Sequence, residues 1–371
     1  MTSQIATTDV PFAHELPTNG DYYKKGVKYL TDMLPNLTKL PSQYVLPLTT
    51  NPLAVNNASI PIIDLSGLNG PAESRKITIQ AIDSACAEWG IFRVVNHGIK
   101  ISLMEEMVEV VEGFFNLSLG EKMKYASDDV MNPPVRYGTS VITSTNNALH
   151  WRDYLRLRCR PLHSSATIHL WPTNPSNYRN IAKEYIEEVW KLRAKIASAI
   201  SEGLGLESDY IEKSLGEGIQ IVGCNYYPPC PEPHRTLGIP PHSDHGELTV
   251  LMQNDVDGLQ VQHHDEWVAV GHVPGTFVVN IGDYMEILSN GKYKTLKHRG
   301  VTNAERARIS IAVGNGPGLT TTVAPASPLI DGKSEIKYRH ATYEDYIKFK
   351  QNGTLGGESP LQAMIVPQVN K

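Results

Sequence analysis

Three side chains in this sequence have the types and spacing to share one metal ion. His242 and Asp244 stand two apart in Ile239-Pro-Pro-His-Ser-Asp-His-Gly-Glu-Leu-Thr-Val-Leu-Met252, and His298 follows in Tyr-Lys-Thr-Leu-Lys-His-Arg-Gly. In an extended backbone, residues two apart point to the same side, so His242 and Asp244 can reach one point in space. The Pro240-Pro241 pair reads as a tight turn that delivers them. Two imidazoles and one carboxylate on one face of an ion, with the other positions open, suit non-haem Fe(II) oxygen chemistry. Neutral imidazoles keep iron reducible, and the single carboxylate offsets part of its charge. Ten positions after His298 comes Arg308-Ile-Ser310, on a strand-like run. The guanidinium is a planar, permanently charged fork for a carboxylate, and Ser310 on the same strand face can share it. Each such bond is worth about 1.5–3 kcal/mol when shielded from water. The pattern asks for a small dicarboxylate cosubstrate, held at one end by Arg308 and Ser310 and at the other by iron.

On these residues the chain resembles the plant-type Fe(II)/2-oxoglutarate-dependent dioxygenases, from about Ile60 to about Pro317. Ile60-Pro-Ile-Ile-Asp-Leu65, Glu88-Trp-Gly-Ile-Phe-Arg-Val-Val-Asn-His-Gly98, Asn225-Tyr-Tyr-Pro-Pro-Cys-Pro231 and Val279-Asn-Ile-Gly-Asp283 belong to the same resemblance. It implies that His242, Asp244 and His298 are the iron ligands and that Arg308 and Ser310 hold the distal carboxylate of 2-oxoglutarate. Asn225 and Tyr227 match positions that also touch that cosubstrate. Fe(II), 2-oxoglutarate, O2 and ascorbate as reductant are the implied cofactors, with succinate and CO2 released. Hydroxylation, demethylation, desaturation and ring closure all lie within this chemistry, and none needs a side chain as general base. Three rivals are a relative using ascorbate instead of 2-oxoglutarate, against which the doubled tyrosine at Tyr226 and Tyr227 leans, a small-molecule receptor on the same scaffold, which would be expected to lack a ligand or the Arg, and a zinc hydrolase, for which no base is evident.

The organic substrate is less well marked. Val135-Arg-Tyr-Gly-Thr-Ser140, Ala148-Leu-His-Trp-Arg-Asp-Tyr-Leu155 and Leu170-Trp-Pro172 are similar to plant enzymes that hydroxylate aromatic rings of phenylpropanoid thioesters, coumarins or benzoxazinoid glucosides. In the family this region borders the substrate pocket, which makes Tyr137 and Trp151 candidate substrate contacts. Flavonoid-oxidising members usually carry a Phe and a Glu shortly after the Arg-x-Ser, and a Lys two before the Asn of Asn-Tyr-Tyr. Here those positions are Gly314, Gly316 and Gly223. The glycines remove contacts to a flavonoid ring and leave room for a bulkier or differently oriented molecule. The expectation is an oxygenase that ring-hydroxylates an aromatic specialised metabolite.

Stepping outward, the positioning elements read as follows. Apolar residues at helical spacing mark helices over 74–89, 101–115 and 178–204, the last bracing the fold. Ser118-Leu-Gly-Glu121 offers a capping box. Beyond Gly216 come eight short strand-like runs, at 221–227, 248–253, 258–262, 267–270, 277–281, 293–298, 308–313 and 320–323. They suit a mainly β fold with flanking helices, built on a double-stranded β-helix (jelly-roll) core. The division this suggests is an extension over 1–58, a helical and strand domain over 59–175, the bracing helix over 176–216, the jelly roll over 217–318 and a C-terminal segment over 319–371. Tyr343 to Phe349 reads as a lid helix, followed by a Gly353–Gly357 hinge and a tail folding back over the mouth.

His97 before Gly98 reads as a hydrogen-bonded structural histidine, His263-His264 as a solvated hairpin turn, His245 as a group beside the metal and Asp283 as an acceptor for nearby donors. The composition, 41% hydrophobic and 20% charged, is that of a globular domain; a net charge of −5 and the lack of a basic run argue against nucleic acid or an anionic membrane as partner. No apolar stretch approaches the roughly 20 residues of a membrane span. Cys86, Cys159, Cys224 and Cys230 lack paired spacing and read as reduced thiols. With a polar N-terminus, the expectation is a cytoplasmic monomer acting on a small molecule.

Overall fold

The computed structural model describes residues 25–47, 59–129, 133–140, 148–161, 165–330, 335–352 and 360–367. The expected Gly353–Gly357 hinge lies outside them. Its strands are β1 (Ile62–Asp64), β2 (Ile91–Val95), β3 (Val135–Thr139), β4 (Asp153–Arg160), β5 (Ile219–Tyr227), β6 (Ile239–His242), β7 (Leu248–Gln253), β8 (Leu259–His263), β9 (Glu266–Val270), β10 (Phe277–Ile281), β11 (His298–Gly300), β12 (Arg308–Gly316), β13 (Thr322–Val323) and β14 (Ala341–Thr342). The principal helices are α1 (Val27–Met33), α2 (Ala72–Glu88), α3 (Ile101–Phe115), α4 (Tyr178–Gly203) and α5 (Tyr343–Asn352).

An eight-stranded sheet runs β1-β2-β10-β7-β12-β5-β4-β3, and a four-stranded sheet runs β6-β11-β8-β9. The four central strands of the first and the four of the second form the jelly roll, all drawn from residues 219–316. The N-terminal half adds β1 and β2 at one edge of the large sheet and β3 and β4 at the other.

Alternation decides which face goes where. In β4, Leu155, Leu157 and Cys159 are buried while Tyr154, Arg156 and Arg158 are half-exposed. The apolar set packs with Val222 and Cys224 of β5 against α3 and α4, in a core that includes Phe114, Tyr178, Tyr185, Val189 and Ile196. α4 shows the expected spacing, with Ile186, Val189, Leu192, Ile196 and Ile200 all inward. Between the two sheets a smaller core joins Leu251, Leu259, Val261, Val268, Val270 and Val278. Ser118 caps its helix as the sequence predicts, its hydroxyl accepting the Glu121 N–H at 3.4 Å.

Three expectations are corrected. Ile239–His242 is a strand rather than a turn: β6 lies at the edge of the small sheet, where prolines interrupt no ladder on the open side. The run over 293–298 is strand only from His298 on. Its amides go elsewhere, Tyr293 N–H to Ser289 Oγ at 3.1 Å and Thr295 N–H to Glu286 Oε2 at 2.7 Å. The strands β3 and β4 were not foreseen, although Tyr154-Leu-Arg-Leu-Arg-Cys159 alternates as a half-buried strand should.

Candidate metal and cosubstrate site

β6 and β11 set the two imidazoles side by side. His242 ends one strand, His298 begins the other, and they are directly opposed in the antiparallel register. Their ring centroids are 4.2 Å apart. Each Nδ1 meets the carbonyl two residues back, Pro240 O at 2.9 Å for His242 and Leu296 O at 3.4 Å for His298. With Nδ1–H donating there, Nε2 is the atom each ring turns toward Asp244 and can offer to a metal. Asp244 completes the group, its Oδ1 3.9 Å from His242 Nε2 and 3.6 Å from His298 Nε2. The three ligand atoms lie within 4.8 Å of one another, close enough to bind one ion from one side. Two neutral imidazoles and a carboxylate fit ferrous iron.

Asp244 is prepared as an anion. Burial opposes its charge, but His298 and His242, with hydrogen bonds from Thr249 and Asn280, hold its carboxyl well below the usual carboxylate range. Its backbone carbonyl accepts the Asp283 N–H at 2.8 Å. Asp283 in turn accepts Ser243 Oγ at 3.2 Å and Tyr346 Oη at 2.7 Å, the acceptor role predicted for it. His245 does not face the ligand cluster as a fourth member; its Nδ1 meets Tyr343 Oη at 2.5 Å. Tyr343 and Tyr346 both belong to α5, so the C-terminal helix braces the ligand loop from behind. Sequence reasoning missed these tyrosines because helical spacing alone does not say what a helix covers.

The cosubstrate residues converge through strand register. Arg308 on β12 opposes Tyr227 on β5, and Ser310 opposes Asn225. Asn225 Nδ2 donates to Ser310 Oγ at 3.3 Å, and the Tyr227 and Ser310 hydroxyls are 3.5 Å apart. Arg308 is buried, with its Cζ 4.9 Å from the Tyr227 ring centroid. Gln253 on β7 aims it, Oε1 accepting from Nε at 3.2 Å and Nη2 at 2.7 Å. Gly258 gives it room: a Cβ there would sit 2.5 Å from Arg308 Cδ. Arg152 was missed as well; its Nη1 donates to Asn225 Oδ1 at 3.0 Å, which turns the amide nitrogen toward Ser310.

The substrate candidates divide. Tyr137 is buried among Phe114 and Phe115, and Trp151 is fully buried, its indole N–H donating to Pro228 O at 3.1 Å. Both are packed into cores rather than set among the ligand and cosubstrate groups. Gly223 and Gly314 do share the face of Asn225 and Ser310, and among the described residues a Cβ on either would meet nothing nearer than 3.9 Å. Gly316 is different, since a Cβ there would lie 2.7 Å from Tyr343 Oη. Two other histidines singled out in the sequence, His97 and His263, make structural contacts. His97 Nδ1 accepts the Ile99 N–H at 3.1 Å, and Nε2 is 3.1 Å from Gly275 O. His263 is not simply solvated, because it stacks on Trp89 at 3.9 Å.

A jelly roll with a two-histidine, one-carboxylate cluster facing a buried arginine defines a non-haem iron oxygenase by class. Residues 218–317 match the 2OG-Fe(II) oxygenase superfamily, and residues 60–174 match the family described as non-haem dioxygenase in morphine synthesis N-terminal. The chain is 42% identical over 318 residues to Protein DOWNY MILDEW RESISTANCE 6 of Arabidopsis thaliana, covering 84% of this chain and 91% of that one. It is 42% identical over 313 residues to Flavanone 3-dioxygenase 2 of Oryza sativa subsp. japonica, covering 83% and 89%. The crystal structure of JOX2 in complex with 2OG, Fe and JA superposes with a TM-score of 0.82 at 34% identity, covering 92% of this chain and 98% of that one. This chain belongs to the 2OG-Fe(II) oxygenase superfamily and is an Fe(II)/2-oxoglutarate-dependent dioxygenase. Among the described residues no helix is long and apolar enough to cross a membrane.

Proposed function

We propose that this enzyme hydroxylates an aromatic ring of a plant specialised metabolite of phenylpropanoid, coumarin or benzoxazinoid type. In this reading His242, Asp244 and His298 hold Fe(II). Arg308 and Ser310 take the distal carboxylate of 2-oxoglutarate, with Asn225 and Tyr227 beside Ser310. Bound iron and 2-oxoglutarate supply dioxygen activation, with succinate and CO2 as coproducts. The side chains do the positioning: Gln253 aims the Arg308 fork, Arg152 orients Asn225, and Thr249 with Asn280 keeps Asp244 ionised.

The observation that supports an aromatic substrate is the floor at Gly223 and Gly314, bare of side chains beside the cosubstrate residues, where a flat ring can lie. Succinate release with Fe(II), ascorbate and a panel of aromatic metabolites tests it. Succinate and a hydroxylated ring should appear in step with one panel member; a panel that never couples would end this reading. A second reading, a flavanone, is favoured by the identity to the rice enzyme, so a flavanone belongs in the panel. The enzyme is further proposed to act as a monomer in the cytoplasm, which gel filtration and fractionation would check.

A further inference from the structure

Directly opposed residues on neighbouring antiparallel strands project from one face of the sheet. On the face that carries Arg308 and Ser310, the cosubstrate row reads Gln253, Ser310, Asn225, Tyr154, Gly138 from β7 to β3. The next row along reads Leu251, Ala312, Gly223, Arg156, Arg136. A third reads Thr249, Gly314, Ile221, Arg158. Thr249 bonds the Asp244 carboxylate, so this last row starts at the ligand cluster. The middle row crosses Ala312 on β12 and Gly223 on β5 and ends in Arg156 on β4 and Arg136 on β3; the third crosses Gly314 on β12 and Ile221 on β5 and ends in Arg158 on β4. With strands about 4.8 Å apart, the arginines stand roughly 10–14 Å from β12, a distance one aromatic ring and a short substituent can span.

The arginines are costly where they are. Arg136 and Arg156 are directly opposed, a position in which like charges repel. Burial, together with Arg136 and Arg158, pushes Arg156 down to about 10. Asp128 and Asp129, at the exposed rim, provide the opposing charge from the chain itself. Arg136 Nε donates to Ser127 O at 3.0 Å and its guanidinium lies 5.3 Å from the Tyr154 ring centroid. Arg156 Nη2 reaches Pro133 O at 3.4 Å. A Cβ on Gly138 would stand 3.0 Å from Tyr154 Oη and 3.4 Å from Arg136 Nη1, so the glycine leaves both tips room over this face. Two forks and a phenol hydroxyl at the β3–β4 end of this trough can receive a planar anion.

We propose that the organic substrate carries a carboxylate, held by Arg136 and Arg156 with Arg158 beside them, while its ring lies over Gly223, Ala312 and Gly314 and its far end faces the metal. This deepens the aromatic-substrate reading and rests on it. The test uses paired probes, hydroxycinnamic and hydroxybenzoic acids against their methyl esters. Equilibrium dialysis onto the Fe(II)–2-oxoglutarate enzyme without oxygen reads binding, and product formation with oxygen reads turnover. The acid of a pair should bind at least about tenfold more tightly than its ester, and Arg156→Gln and Arg136→Gln should each remove about tenfold to hundredfold of acid binding. Arg156→Lys keeps the charge and should retain part of the preference, which separates loss of recognition from loss of fold. Esters that bind as well as acids, or an acid preference untouched in both glutamine variants, overturn the proposal. Esters hydroxylated with no acid preference would leave the aromatic reading standing without this one. Acids bound through Arg156 but never ring-hydroxylated would do the reverse, and binding of neither form ends both.

Discussion

Two neighbouring rows on one sheet face are built in opposite ways. At the β7–β12–β5 end of the first row, Gln253, Ser310 and Asn225, with Arg308 and Tyr227 one row further along, are closed and mutually bonded: Arg308 and Ser310 are each 2% exposed, and Gln253, Asn225 and Tyr227 hold them through named hydrogen bonds. The row beside it is half-open, floored by Ala312 and Gly223 and ended by arginines that oppose each other. Each of these five side chains supports another, so their geometry is set before any ligand arrives. In the second, small residues support nothing and leave shape to be supplied by the occupant. On the proposed reading, one scaffold fixes the reaction with a packed group of side chains and leaves substrate choice to the small residues and arginines beside it.

If that division is right, substitutions in the two regions should separate the two ligands. The largest effect belongs to the ligand cluster. His298→Ala should drop turnover below roughly a thousandth of wild type and lower the iron retained after dialysis; full activity with full iron content would sink the assignment. Next comes Arg308→Lys, which trades a bidentate fork for a point charge. The 2-oxoglutarate needed to develop the visible charge-transfer band without oxygen should rise about tenfold to hundredfold, with binding of the organic substrate little changed. An unchanged titration would count against the arginine's role. Gly314→Phe should do the opposite, raising the KM for the organic substrate about tenfold while the 2-oxoglutarate titration stays within about twofold. Should both ligands weaken together, the packed cosubstrate group and the floor around Gly314 are one site and the comparison fails.

The same contrast explains what could be read from the sequence. The clustering of His242, Asp244 and His298, and the shared strand face of Arg308 and Ser310, were legible because two-residue spacing in extended backbone brings side chains to one side, and the chemistry allows few residue types there. The helices at 101–115 and 178–204 were legible because long periodic stripes have few other uses. Arg152, Gln253, Tyr343 and Tyr346 were not, since each acts across a contact between elements far apart in the chain. Nor could Arg136 be matched with Arg156, because their opposition exists only once β3 and β4 pair in register. Tyr137 and Trp151 drew notice as aromatic residues near a pocket, and aromatic residues serve cores at least as often.

The glycines expose the limit most clearly. Gly223, Gly314 and Gly316 look alike in the sequence, each a glycine at a position where resemblance to flavonoid-oxidising enzymes would lead one to expect a larger side chain. The structure separates them by what a Cβ would meet: nothing nearer than 3.9 Å at Gly223 or Gly314, but Tyr343 Oη at 2.7 Å and Cζ at 3.2 Å at Gly316. Gly223→Ala and Gly314→Ala should therefore leave the urea midpoint unchanged or raise stability by up to about 1 kcal/mol, since glycine is a poor strand residue. Gly316→Ala must push aside a phenol that also bonds His245, at a cost of about 1–3 kcal/mol. Tyr343→Phe removes the nearest atom, so the double variant should lose less than the two single losses added together. Strict additivity would mean that the tyrosine does not fill the space over Gly316, and the bare floor of the substrate trough would then extend a strand position further than Gly314.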